Sequence, residues 1–253
     1  MQIKRYLLFC FIVLTSVGLK GNTPHDIWTQ ANEAYQRSEY IHAIELYENL
    51  LKLDIVSAEL YYNLGNAYFR NNNIGRAVLN YERAIRLDPA NDNIRHNLET
   101  ANSRTIDNVV LRPELFYERW WRSLIMMQSA NAWGAISIIL LSLFLIFVAT
   151  YLFARTIGIK KSAFYISGVL LVFTVLSIVF AQTQYNRIIN QNEAIIMVPR
   201  VAVKSSPSAQ SPDLFLIHEG TKVFLRTSHD GWYEVNLADG NIGWVKGDSF
   251  EVI

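Results

Sequence analysis

Cysteine occurs once in the 253 residues, at Cys10, so an internal disulfide and a thiolate metal cage are both excluded. The five histidines, His25, His42, His96, His218 and His229, never fall four apart around a glutamate, and none neighbours a cysteine, which argues against zinc. No glycine-rich run closes on Lys-Ser or Lys-Thr, and no Gly-x-Ser-x-Gly elbow occurs. A phosphate-cradling loop and an elbow-mounted serine nucleophile are therefore missing. The 23 basic and 22 acidic side chains nearly cancel, so no excess of one sign marks the chain for a nucleic acid. These absences point away from an enzyme and imply no cofactor and no metal site.

Hydrophobic residues make up 51% of the chain and are concentrated in three runs. The first, Tyr6 to about Val17, follows Lys4 and Arg5 and precedes small residues, the layout of a secretory signal peptide over 1–21. An uncleaved anchor is the alternative, although a dozen apolar residues is short for a span. Trp133–Ala154 and Ser162–Ala181 are 22 and 20 residues long without a charge, long enough to cross a hydrocarbon core of ~30 Å as helices. The intervening residues 155–161 include Arg155, Lys160 and Lys161, and positive charge in a short loop marks the cytoplasmic side. The expectation is a bacterial inner-membrane protein with two spans, contacting the lipid bilayer, with both soluble regions periplasmic. Residues 105–132, with Trp120, Trp121 and Arg122, read as an aromatic interfacial helix before the first span, or else as a strip packed on the repeats.

Charge follows the same division. Residues 22–112 carry 9 Lys+Arg against 12 Asp+Glu, residues 190–253 carry 5 against 8, and the membrane flanks hold the remaining 9 basic and 2 acidic residues. The basic excess belongs beside the membrane, and no nucleic acid partner is expected.

Residues 58–91 repeat the pattern of 24–57 at a spacing of 34. With Ala58 as position 1, the second unit places Tyr61, Leu64, Gly65, Ala67 and Tyr68 on its first half and Ala77, Tyr81, Ala84 and Pro89 on its second. Ala31, Ala34, Ala43, Tyr47, Leu50 and Leu53 answer in the first unit. The apolar spacing predicts two antiparallel helices per unit, with small residues where helices touch and a proline ending the second helix. Residues 92–103 continue the register at Ile94, Asn97, Leu98 and Ala101 among polar neighbours, as a capping helix would. Residues 22–104 thus resemble two tetratricopeptide repeats with a cap.

From Glu193 the period becomes alternating, with short β-rich pieces at 194–198, 201–204, 222–226, 232–237, 241–245 and 250–253 separated by turn residues. Five or six short strands in about 60 residues suggest a small closed barrel, since closure removes exposed edges. Val203-Lys-Ser-Ser-Pro207, Glu219-Gly-Thr-Lys-Val223, Gly231-Trp232 and Gly243-Trp-Val245 resemble a bacterial SH3-type domain over 193–253, joined to the second span by a linker at 182–192. Trp232, Tyr233 and Trp244 are its groove candidates, with the two tryptophans expected to divide between core and groove. The fold class is therefore a multidomain membrane protein: an all-α tetratricopeptide solenoid, a two-helix transmembrane hairpin and an all-β SH3-like small barrel.

In this order the modules resemble the Bacteroides aerotolerance (BatE) family. That resemblance implies a partner role beside von Willebrand A-type membrane proteins of the same operon and a MoxR-type ATPase. Resemblance to tetratricopeptide repeats further implies that first-helix positions 2, 5, 9 and 12 line a concave face. Here these are His25, Trp28, Asn32 and Tyr35, then Glu59, Tyr62, Asn66 and Phe69, with His96 and Thr100 from the cap. The aromatics either bind a protein or peptide segment or pack internally. The two asparagines are expected to donate to and accept from a bound main chain at once. The functional expectation is a non-catalytic scaffold. The rivals are a sensor that docks cell-wall peptide through the SH3-like domain and an accessory subunit that places substrate for an enzyme.

Overall fold

The computed structural model describes residues 23–107, 115–190 and 192–253. The expected signal segment with Cys10, and part of the juxtamembrane stretch, lie outside the described residues. The chain divides into two compact units, residues 1–55 and 56–253.

The first unit contains one helical hairpin, α1 (Pro24–Gln36) and α2 (Tyr40–Lys52). Thr23 caps α1: its side chain accepts from the Asp26 N–H, and the Asp26 carboxylate accepts from the Thr23 N–H, closing a capping box ahead of Pro24. Ala31, Ala34, Ala43, Tyr47 and Leu50 are buried, as the 34-residue pattern requires.

The second unit opens with α3 (Ala58–Arg70) and α4 (Ile74–Leu87), followed by α5 (Asp92–Asn102). Ser57, Asn73 and Asn91 cap the three helices through side-chain oxygens. A Cβ added at Gly65 would lie 2.8 Å from the Tyr81 ring, so α3 and α4 meet there as closely as glycine permits. Ser38 and Asn72, 34 residues apart, both take positive φ in the turns between paired helices, so the repeat is visible in the backbone as well as in the side chains.

Then come α6 (Phe116–Ile125), α7 (Ala130–Phe153) and α8 (Ile157–Ile189). α7 and α8 pack along one another and are both long and apolar enough to cross a membrane. Ser177 donates to the Trp133 carbonyl, and Phe180 is met edge-on by Trp121 at 5.1 Å and Trp133 at 5.0 Å. The helices depart from the expected limits. α8 begins five residues earlier and continues through most of 182–192, which is helix rather than linker. Buried Gln184 explains the extension, since its amide donates to the Ile125 and Gln128 carbonyls and ties those last turns to α6.

The C-terminal region is one antiparallel sheet of seven strands, β1 (Glu193–Ile196), β2 (Arg200–Lys204), β3 (Asp213–His218), β4 (Lys222–His229), β5 (Trp232–Asn236), β6 (Ile242–Lys246) and β7 (Phe250–Val252). Its order is β3-β2-β6-β5-β4-β1-β7. Ala194, Ile196, Val203, Ile217, Val223, Val235, Leu237 and Val245 form the core. Two expectations change here. The ladder is open, with β3 and β7 as its ends, and β3 is an additional strand. β3 escapes period-2 reading because Phe215 and Ile217 pack on one side while Leu214 and Leu216 stand exposed on the other, making both faces apolar. At the β7 end, α4 covers what ring closure would have removed: Arg83 donates to the Val252 carbonyl and Arg86 to the Ile253 carbonyl, each at 2.7 Å.

Candidate functional site

The residues expected on the concave repeat face are half-buried in each unit, apart from exposed His25, Glu59 and His96. In the first unit Trp28 meets Tyr47 edge-on at 5.8 Å and Tyr35 meets Tyr40 at 5.5 Å. Asn32 accepts from the Tyr47 hydroxyl at 2.6 Å. In the second unit Tyr62 lies 6.1 Å from Tyr81, and its hydroxyl accepts from Asn97 at 3.1 Å. Asn66 accepts from the Tyr81 hydroxyl at 2.7 Å and from Asn97 at 2.8 Å. The Arg104 guanidinium sits 4.3 Å over the Phe69 ring, a cation–π contact.

Both carboxamide oxygens hold the tyrosine of their own hairpin 15 residues later. A carboxamide oxygen can accept two bonds, so Asn66, which also takes the Asn97 amide, is filled, whereas Asn32 Oδ1 accepts one. Asn97 and Arg104 were missed as members of this surface. The continued register on α5 was the available signal for Asn97, and nothing local marks Arg104.

In the sheet, pairing registers decide where the groove candidates lie. Trp232 pairs with Lys246, Glu234 with Trp244 and Asn236 with Ile242, so Trp232 and Trp244 share the face opposite the core. They do not divide between core and groove. Tyr233 pairs with Val245 on the core side, where it meets Phe250 edge-on at 5.1 Å and closes over Gly247. A joint surface would therefore hold the two tryptophans without Tyr233, and the Lys246 ammonium lies 5.7 Å over the Trp232 ring.

A larger polar assembly joins the repeat helices of the second unit to the sheet. The β3–β4 turn His218-Glu-Gly-Thr221 docks against it at three points. Asp107 accepts from the His218 N–H at 2.6 Å and from the Thr221 hydroxyl at 2.6 Å, and lies 2.8 Å from the His218 ring nitrogen. Glu219 accepts from the Gly75 N–H at the α4 N-terminus, where an anion is favoured by the helix dipole. Gly75 makes room, since a Cβ there would lie 2.5 Å from the Glu219 side chain. Gly220 adopts φ +87°, open only to glycine at low cost, and packs on Thr105.

Further along α4, Lys222 bridges Glu82 at 2.7 Å and Glu193 at 2.9 Å, while Arg86 pairs with Glu193 at 3.1 Å and Arg83 with Glu251 at 2.9 Å. Burial works to raise the Glu193 carboxyl, but the charge and hydrogen bond of Lys222, with Arg187 and Arg86 beyond, outweigh it and hold the group below the usual glutamate range. Burial likewise opposes ionisation of Asp107 and is outweighed by the hydrogen bonds from Thr221 and His218 together with the His218 charge, so its pKa is also lowered. In the sequence, Glu219-Gly-Thr-Lys-Val223 reads only as part of the SH3-like resemblance. Nothing in its spacing names partners more than a hundred residues away.

Among the described residues no three His, Cys, Asp or Glu side chains converge to hold a metal ion. Comparison with known families matches residues 58–91 to the tetratricopeptide repeat and residues 31–72 to the TPR repeat. No curated protein matches the chain. Neither family match is to an enzyme family, and residues 31–91 carry tetratricopeptide repeats followed by two helices capable of crossing a membrane and a seven-stranded antiparallel sheet.

Proposed function

We propose that the protein is a non-catalytic, membrane-anchored scaffold that holds partner proteins through its repeats on the periplasmic side of a bacterial inner membrane. The observation carrying this reading is the pair of tetratricopeptide matches over residues whose first-helix aromatics remain half-exposed in each unit. Aromatic rings with polar edges suit an extended or helical protein segment, and the absence of basic residues at Trp28 and Tyr62 disfavours a free carboxylate. The sheet is read as an SH3-like module bound edge-on to α4. By family resemblance, the partners are von Willebrand A-type membrane proteins of a Bat complex linked to aerotolerance.

The direct ion pairs between α4 and the sheet support placing both on one side of the bilayer, and Arg155, Lys160 and Lys161 between the spans support the cytoplasm as the other side. A second reading is favoured by the shared face of Trp232 and Trp244: a sensor that docks a peptide or cell-wall stem on the sheet.

A photo-crosslinking amino acid at exposed His96, introduced in the full chain in intact membranes, should trap one or a few defined proteins. The same probe at exposed Thr227 on β4 should not. Crosslinks from 227 with none from 96 would move the binding surface to the sheet. No crosslink from either would remove the scaffold reading.

A further inference from the structure

A cavity of about 670 Å3 opens where α6, the last turns of α8 and strands β1 and β4 meet. Its lining is divided by chemistry. Trp121, Ile125, Met126 and Phe224 supply apolar wall, and Arg122, Arg187, Lys222, Glu118 and Glu193 supply charge. Lys222 and Glu193 are already bound to each other and to Glu82 and Arg86, two cations against two carboxylates. Arg187 acts on Glu193 through its charge without a salt bridge among the described residues, and the site therefore presents a guanidinium beside a cluster whose own charges cancel.

Height decides the ligand. The charge-free run of the second span ends at Ala181. Arg187 follows six residues later on the same helix, about 9 Å further along the axis. Headgroups occupy roughly 5–8 Å beyond each side of the hydrocarbon, so a span ending near Ala181 puts the Arg187 backbone at the outer edge of that layer, from which its long side chain can reach back to lipid phosphates. Trp121 stacks edge-on against Phe180 just below, as ring systems at a membrane interface do. Below the cavity, α7 and α8 expose Ile138, Leu145, Val172 and Val175, an apolar surface along which acyl chains would run.

We propose that this cavity binds the headgroup of an anionic phospholipid, with Arg187 gripping its phosphodiester and Trp121 lying along the glycerol and upper acyl region. Phosphate geometry matches a guanidinium fork, which can donate two parallel hydrogen bonds. The Gln184 amide, donating to the Ile125 and Gln128 carbonyls, ties the α8 wall of the cavity to the end of α6. The proposal rests on α7 and α8 crossing a bilayer.

The test uses the full chain in nanodiscs. Insertion is first scored in phosphatidylcholine alone, which separates failure of the membrane reading from failure of this one. Native mass spectrometry of protein released from discs of mixed phosphatidylglycerol and phosphatidylcholine should show one retained phosphatidylglycerol. Arg187→Gln should reduce that retention at least about tenfold, the loss expected for one charge-assisted contact. Arg155→Gln at the opposite end of the hairpin should leave it unchanged. Equal retention of phosphatidylcholine, an equal loss in Arg155→Gln, or no loss in Arg187→Gln would each overturn the proposal. Displacement of the lipid by millimolar glycerol 3-phosphate would show a soluble-phosphate site and overturn it as well.

Discussion

The two helical hairpins follow one 34-residue pattern and end up with different surfaces. Each holds an asparagine on its first helix against a tyrosine on its second, Asn32 with Tyr47 and Asn66 with Tyr81, at nearly the same distance. Beyond that shared bond they diverge. The second helix of the second hairpin carries Glu82, Arg83 and Arg86, all paired to the sheet, where the first hairpin has Glu48, Asn49 and Lys52. Lys52 is exposed, whereas its counterpart Arg86 is buried. The common residues build a hairpin, and the departures from the repeat build its attachment. A repeat family match reports only the first.

The largest expected effect falls where the hairpins differ most. Arg86→Ala removes the buried partner of Glu193 and of the Ile253 carbonyl, and breaking a buried pair typically costs about 3–5 kcal/mol. Lys52→Ala at the equivalent exposed position should cost within about 0.5 kcal/mol. Urea unfolding of the full chain in detergent, followed by hydrogen exchange in α2, α4 and β7, measures both. Equal costs would erase the distinction.

Gly65 supplies the next contrast, because its counterpart in the first hairpin is Ala31, which is buried with its methyl in place. Gly65→Leu should destabilise the second hairpin by ~1–3 kcal/mol, the usual cost of overpacking. The Tyr81 ring that a side chain would strike is buried and tied to Asn66, so it cannot swing aside without losing that bond. A wild-type-like melting temperature would show that the helices can separate there.

Acid should act on the second unit's attachment before the hairpins themselves. The lowered pKa values of Glu193 and Asp107 mean that both contribute stability above the ordinary carboxylate range, near pH 4. That contribution is lost as pH falls through their folded-state values. Hydrogen exchange at 218–221 and 193–196 should therefore accelerate relative to α3 as pH falls below about 4. Uniform acceleration would mean that these carboxylates do not govern docking.

The smallest effect concerns the bond the hairpins share. Tyr47→Phe and Tyr81→Phe should each cost about 0.5–1.5 kcal/mol. The second should fall at the lower end, since Asn66 keeps the Asn97 amide as a donor. Thermal melts of the two variants compare them directly.

Much of this organisation was legible because it is periodic or compositional. Ala34 and Tyr68, Tyr47 and Tyr81, and Leu50 and Ala84 stand 34 residues apart and are buried, and long charge-free runs identify α7 and α8. The attachment was not legible. Asp107 meets His218, and Arg83 meets Glu251, across sequence separations of 111 and 168 residues, and single charges carry no period to read. The hydrogen bonds of the candidate site were hidden in a related way. Asn32 and Asn66 accept from Tyr47 and Tyr81 across each hairpin, a contact between helices that spacing along one helix does not reveal. In the sheet, strict alternation would have separated Tyr233 from Trp232 and Trp244 had it been applied to the aromatics as well as to the aliphatic core.

The central claim is that repeats and sheet are joined on one outer face of a two-span hairpin, and cysteine accessibility tests it most directly. In a Cys10→Ser background, single cysteines at exposed Asn71, Ala209 and Gly158 are challenged with a membrane-impermeant maleimide in intact spheroplasts. The account predicts labelling at 71 and 209 and none at 158 until the membrane is permeabilised. Labelling at 158 with protection at 71 and 209 would invert the topology, and opposite outcomes at 71 and 209 would contradict the joining of repeats to sheet.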